Sequence, residues 1–483
     1  METRPAGSAD FHGGRAGSAP MTWGQRAIWK SIKWLDEGAH YFNISRTLDL
    51  PDGLTYDQVT AAVGLLVLRH EVLRTRFHDD DRGPTQEVDA EGALPVPVLD
   101  TSAADPATVA ADLARELAGR AFRHDTEWPV RCSLVLDRGR PAHLALVFSH
   151  LGADFSGVRE ALADLRELLA GRVGPVPAWQ PLDQARHETE GIGAARGAAS
   201  LEYWRRTLRS VPAAMFPAVV ETEGETETGT EADPGSAAGA GAGTTGTAGA
   251  DAERFVRLRL DSPALAVAAT RIADRCQVST GTVLLAATAA VLGACTGHGI
   301  VALQLIAVNR HDDRSRHLVA AMAENALFAL DVGSGTFDDA VRRTFLAGMN
   351  AYRFAQYDPL AMDDVLAEAR EAAGGRLELG SFFNDKRMHD RWSDLPDTGD
   401  SPEALRALAG KSEVTFVGAW ERQDAVFFVH TAYDPGSCLL HLMADTRLVP
   451  RPAIERVLLA FERLLVDAAL GPVDLDGYAI PTG

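Results

Sequence analysis

Residues 68–77 read LRHEVLRTRF, and residues 144–158 read LALVFSHLGADFSGV. Around the first stretch Val59, Ala62, Val63, Leu66, His70, Leu73 and Phe77 recur at three- and four-residue spacing, which predicts a helix over residues 57–77. The second stretch opens as a strand. Side chains alternate across a strand, so Leu144, Leu146, Phe148 and His150 share one face and His143, Ala145, Val147 and Ser149 the other. A short loop carrying Asp154 and Gly157 then leads into a helix expected at 158–169, striped by Val158, Leu162, Leu165 and Leu169. Ser149 and His150 should therefore point apart, which argues against a serine nucleophile with His150 as its base. A histidine closing a buried strand suits a general base or hydrogen-bond acceptor, its pKa lowered by apolar surroundings. A purely structural core histidine would have the same local sequence.

Outward from these stretches both halves of the chain mix helices and strands. Strands are expected at 41–50, 134–136 and 143–148, then at 255–260, 301–308, 377–383, 413–419, 425–431 and 438–443. Helices are expected at 262–275, 280–296 and 338–354, with a last amphipathic helix that turns Ile454, Val457, Leu458, Phe461, Leu464 and Leu465 inward. Residues 1–20 are rich in Gly, Ala and Ser and read as a disordered leader. Residues 221–250 hold no aromatic or large aliphatic side chain and read as a disordered insertion. The expectation is an α+β chain with an N-terminal lobe at 21–200 and a C-terminal lobe at 201–483 that carries the insertion.

Composition narrows the function. Among 483 residues, 67 Asp and Glu stand against 47 Lys and Arg, a formal net charge of −20. Nucleic-acid affinity is carried largely by clustered Lys and Arg, so nucleic acid is an unsuitable partner. Cys132, Cys276, Cys295 and Cys438 show no CxxC spacing, and a helical HExxH is absent, so neither a disulfide framework nor a metal site is expected. No signal peptide and no long apolar span is evident, which predicts a cytoplasmic protein without a membrane partner.

The motifs add a family resemblance. TWGQRAIWK at 22–30, with Gln25, Arg26 and Trp29, the complete RHExLRTxF pattern at 69–77, and SHLGADF at 149–155 together resemble the condensation-domain superfamily of non-ribosomal peptide synthetases. LEYWRRTL at 201–208, AVNR at 307–310, AENAL at 323–327, QYDPL at 356–360 and FFNDKR at 382–387 extend the likeness more loosely. The resemblance implies two lobes similar to chloramphenicol acetyltransferase, arranged as a V-shaped pseudo-dimer around a central tunnel. It implies a free-standing condensation enzyme of secondary metabolism. Such an enzyme joins a carrier-tethered acyl thioester to an amine, or to a hydroxyl, as amide or ester. Its partners would be acyl or peptidyl carrier proteins, which present substrates on 4'-phosphopantetheine, and a small-molecule acceptor; no intrinsic cofactor is implied. His150 matches the second histidine of the family's HHxxxDG motif and would be catalytic. Asp154 would be a structural carboxylate paired with an arginine of the second motif, Arg74 first and Arg69 next. Ser149, Phe155, Gly157 and Asn325 would line the tunnel. Two positions depart from the pattern: Ser149 replaces the first histidine and Phe155 the glycine, which would narrow the tunnel or reshape the loop. That departure leaves room for a catalytically inactive domain that recruits other enzymes to a carrier-bound peptide. An acyltransferase using free coenzyme A esters is a third reading.

Overall fold

In the computed structural model, residues 3–81, 83–101, 104–217, 254–399 and 401–480 are described. The expected insertion at 221–250 lies outside them. The first half contributes β1 (Thr3–Phe11), β2 (Gly17–Pro20), β3 (Asn43–Asp49), β4 (Thr75–Asp80), β5 (Gly83–Val88), β6 (Gly92–Asp100), β7 (Val130–Asp137) and β8 (Arg140–Ser149). The second contributes β9 (Phe255–Ser262), β10 (Ile300–Ala307), β11 (Glu324–Asp331), β12 (Ser381–Asp385), β13 (Glu413–Trp420), β14 (Phe427–Asp434) and β15 (Ser437–Asp445). They form a five-stranded sheet in the order β1-β6-β7-β8-β3, a three-stranded sheet β2-β5-β4, and a seven-stranded sheet β11-β10-β12-β14-β15-β9-β13.

The N-terminal leader is not disordered over its described part. From Thr3 to Phe11 it pairs antiparallel with β6, and Gly17 to Pro20 pairs with β5. Its small residues serve close packing. A Cβ on Gly7 would sit 1.3 Å from the Tyr56 hydroxyl, and one on Gly64 2.4 Å from the Asp10 carbonyl, so the helix Tyr56–Arg69 rests directly on this strand. Phe11 supplies the anchor, buried with its ring 5.1 Å from Trp128. The lobe boundary expected at 200/201 also needs correction, because it cuts one continuous helix, Gly191–Leu208.

The helix expected over 57–77 ends at Arg69. His70 is extended, Glu71–Arg74 form a 3-10 turn, and Thr75 starts β4. Asp164 accounts for the break: it accepts from Arg69 Nε at 2.8 Å and lies 2.9 Å from His70 Nε2, fixing both side chains as the chain turns. In the second half the aliphatic face of the large sheet, with Leu258, Leu260, Val429, Leu440 and Leu442, packs into one core with the helices Pro263–Cys276, Thr280–Thr296 and Arg451–Leu470. Thr280–Thr296 is apolar nearly all round because it is buried nearly all round. No single helix among the described residues is long and apolar enough to cross a membrane.

The halves interlock through residues 310–322. Val319 and Ala321 belong to the core of the first half. A Cβ on Gly24 would lie 2.4 Å from the Ala321 carbonyl oxygen, and one on Gly157 2.9 Å from that of Ala320, so glycine is what lets this segment approach. Arg26 adds an ion pair to Asp358 at 2.6 Å, and Lys30 another to Asp363.

Candidate active site

β8 delivers the site. His150 follows its last residue, donates its backbone N–H to the Phe42 carbonyl at 3.0 Å, and is 3% exposed. Its ring stands edge-on to Phe42 and Phe155, with centroids at 6.5 and 6.2 Å. The Nδ1 atom is buried without a hydrogen-bond partner. Burial lowers the imidazole pKa, and the nearby Asp154 charge only partly opposes this. The result is a neutral ring at neutral pH with an unused nitrogen.

Ser149 points away, as strand alternation requires. Its Oγ shares a 2.8 Å hydrogen bond with His124 Nε2 and accepts from Leu151 N at 3.3 Å. Burial pushes His124 down to about 4, so this pair is uncharged and ties the strand end to residues 122–128. Sequence reading missed His124, which lies 25 residues from Ser149 and belongs to none of the motifs.

Asp154 caps the helix Phe155–Leu169, accepting from Gly157 N at 2.8 Å through Oδ1. Its other oxygen accepts from Arg310 Nη1 at 2.7 Å and Met322 N at 2.9 Å. The expected partner Arg74 is therefore wrong. Arg74 donates to the Arg15 and Asp89 carbonyls, while Arg69, the second choice, holds Asp164. Arg310 also donates to the Leu318 and Ala320 carbonyls at 3.1 and 3.0 Å, so one guanidinium organises the crossing segment and the carboxylate together. Burial raises the Asp154 pKa, but Arg310 and the two backbone donors outweigh it and hold the carboxyl below its usual value. With both oxygens engaged, Asp154 is a structural anion at neutral pH. The only sequence signal for Arg310 was its place at the end of AVNR.

Phe155 does not distort the loop. It is the first residue of its helix, and Asp154 before it is extended with φ −75°. No left-handed backbone, and hence no glycine, is needed there. Phe155 stays 40% exposed and carries the Arg46 guanidinium 5.5 Å from its ring centre. Gly157 is taken up by Ala320 rather than by open space. Asn325 sits on β11 opposite Ile306, buried, with both amide atoms unpartnered, while its carbonyl accepts from Tyr357 Oη at 3.0 Å.

These elements recur in known proteins. Residues 15–322 match the family model of the condensation domain. The chain belongs to the condensation-domain family. This condensation domain is 31% identical over 224 residues to phosphinothricin tripeptide synthetase PhsC of Streptomyces viridochromogenes, matching 43% of the chain and 20% of that protein. It is 31% identical over 230 residues to the isonitrile lipopeptide synthase of Mycobacterium tuberculosis, matching 44% of the chain and 9% of the relative. The chain thus spans a fifth or less of these relatives' lengths. Its fold is that of the condensation domain of the monacolin K polyketide synthase MokA, with a TM-score of 0.66, 16% identity, and 95% and 99% of the two chains covered. The X-domain solved in complex with OxyB from teicoplanin biosynthesis is equally similar, with a TM-score of 0.66, 18% identity and 97% of each chain covered. In this condensation domain a cavity of about 930 Å³ opens between the helices Gly191–Leu208 and Phe337–Arg353, beside Arg196, His311, Met349, Tyr352 and Gln356. His150 does not line it. Among the described residues no group of His, Cys, Asp or Glu is placed to hold a metal ion.

Proposed function

We propose that the chain is a condensation enzyme that transfers an acyl group from a carrier-tethered thioester to an amine, or to a hydroxyl. The observation that carries this reading is His150: a buried, neutral imidazole with an unpartnered Nδ1, beside an aspartate wholly committed to Arg310 and the backbone. The carboxylate is spent on structure, so the imidazole is the group left to orient or deprotonate the acceptor. The acceptor nitrogen attacks the thioester carbon, the C–S bond breaks, and the amine proton passes by way of His150 to the departing pantetheine thiolate. Holding both reactants in one place supplies much of the rate, because it removes the entropic cost of their encounter. The setting for this chemistry would be cytoplasmic, with acyl or peptidyl carrier proteins as partners. Mixing loaded carriers with the wild type and with His150→Ala, and following product by mass spectrometry, tests the role. Turnover should fall by about 10²- to 10⁴-fold in the variant, and equal turnover by both would sink it.

A second reading, a domain that recruits other enzymes without catalysis, draws on Phe155, whose ring stands against His150 where the family carries glycine. Under that reading loaded thioesters stay intact with the wild type as well as with the variant.

A further inference from the structure

The seven-stranded sheet has a second face, and its chemistry is unlike the first. Directly opposite one another across β14, β15 and β9 stand His430, His441 and Arg259. The neighbouring row on the same face holds Phe428, Met443 and Arg257. Lys386 directly follows β12, two residues beyond Asn384, which is paired with His430. Tyr41 of the first half reaches the same place and hydrogen-bonds Arg257, while Gln423 and Asp424 approach its hydroxyl.

This is an expensive arrangement. Arg257 is 4% exposed, with its guanidinium 4.5 Å from the Trp420 ring centre and Nη2 3.8 Å from Met443 Sδ, a weak acceptor. The Nε atoms of Arg257 and Arg259 and the Nδ1 atoms of His430 and His441 are buried without hydrogen-bond partners. The two histidine rings stack at 4.4 Å and 10°. Burying the Arg257 guanidinium against Tyr41, Trp420 and a thioether does not favour folding, since a buried charge costs several kcal/mol in general. Such a cost persists where function uses the group. His441, Arg259, Lys386, Tyr41 and Trp420 are only partly buried, so the edge of the cluster keeps contact with solvent. It also adjoins the candidate active site, because Tyr41 neighbours Phe42, whose ring faces His150.

We infer that this face is a binding subsite for an oxyanion borne by a substrate, held by the Arg257 fork with His441 and Lys386 beside it. A planar guanidinium with one face on Trp420 presents its edge for bidentate recognition of a carboxylate or a phosphate. Two sources fit this chemistry: a carboxylate on the acyl or acceptor group, and the phosphate of the pantetheine arm. Binding should also take up protons. Burial and the Arg257 charge push Lys386 down to about 7, and burial with Arg257, Lys386 and Arg259 pushes His441 to about 3. An anion among them reverses that discharge. Assigning the anion to a substrate rests on the condensation reading; the anion site itself does not.

The test is titration calorimetry on the full chain with glutarate, glutaramide, inorganic phosphate and 4'-phosphopantetheine, in buffers of different ionisation enthalpy. At least one oxyanion should bind with proton uptake, glutaramide should not, and Arg257→Gln should weaken the bound oxyanion by about ten- to a hundredfold. Binding of glutarate identifies a carboxylate source. Binding of phosphate and phosphopantetheine alone identifies the pantetheine arm. No oxyanion binding, or affinities unchanged in Arg257→Gln, overturns the site. If Arg257→Gln fails to fold by circular dichroism, His441→Gln carries the same comparison. His150→Ala should bind the oxyanion as the wild type does. Retained turnover in that variant would remove the catalytic reading and leave the anion site standing.

Discussion

At Asp154, 156 residues of chain separate the carboxylate from the guanidinium that neutralises it. Both side chains are 5% exposed. Removing one partner from such a pair leaves a buried unpaired charge, so Arg310→Met should cost about 3–5 kcal/mol, measured by urea denaturation. Arg74→Met, which takes no charge from Asp154, should leave the Asp154 contribution intact. The sign with pH follows from the lowered carboxyl: its contribution is present above the unfolded carboxylate pKa and is lost as pH falls through the folded value. His150 adds a loss on the same side. Its depressed pKa means the unfolded chain takes up a proton below about 6.5 while the native ring resists. His150→Asn should therefore flatten the decline in stability between pH 7 and pH 5, read from melting curves, and a parallel decline in both proteins would refute the buried neutral ring. Strand alternation sufficed to separate Ser149 from His150. It could not supply Arg310 or His124, because their proximity is made by the tertiary fold and leaves no periodicity in the sequence.

At the scale of elements, two positions show what composition conceals. The N-terminal strand reads as disordered because it has few large side chains, yet Gly7 and Gly64 are the residues that let Tyr56–Arg69 lie on it. Gly64→Ala would drive a methyl toward the Asp10 carbonyl at 2.4 Å. A backbone atom cannot step aside as a flexible side chain can, so the variant should lose about 1–3 kcal/mol of stability, and an unchanged denaturation midpoint would contradict this contact. Phe155 is the second case. As the first residue of the helix Phe155–Leu169 it needs no glycine. Phe155→Gly should therefore fold, at a cost of about 1 kcal/mol or less in the first turn, and should open the space beside His150. Under the condensation reading, bulkier acceptors then gain relative to small ones in a competition assay; an unaltered product ratio would show that the ring does not shape the site. The strand periods and the long helices were legible because burial on one face writes itself into sequence. The break at His70 was not, since His70, Leu73 and Phe77 continue the helical spacing while Asp164 draws the chain out of it.

For the whole molecule, the halves meet over buried acids as well as over glycine. Glu188 accepts from Trp23 N at 2.8 Å and from Gln184 Nε2 at 2.9 Å, and Glu324 accepts from Tyr357 N at 3.2 Å. Burial pushes Glu188 up to about 7, with Asp358 adding to the rise while Gln184, the Trp23 amide and Arg26 oppose it. Glu324 is raised well above the ordinary value by burial, by Glu188 and by Asp358. A carboxyl whose folded pKa is raised contributes fully below its unfolded value, and that contribution is lost as pH rises toward the folded value. The junction should therefore loosen from about pH 4.5 upward, and Glu188 alone can account for up to about 3 kcal/mol by pH 7. Glu188→Gln keeps the contact with the Trp23 amide and removes the ionisation. It should be more stable than the wild type at pH 8 and nearly equal at pH 4.5, by thermal melting at both values. A variant that is less stable at both would mean that the native carboxyl is ionised, with Arg26 as the nearby compensating cation.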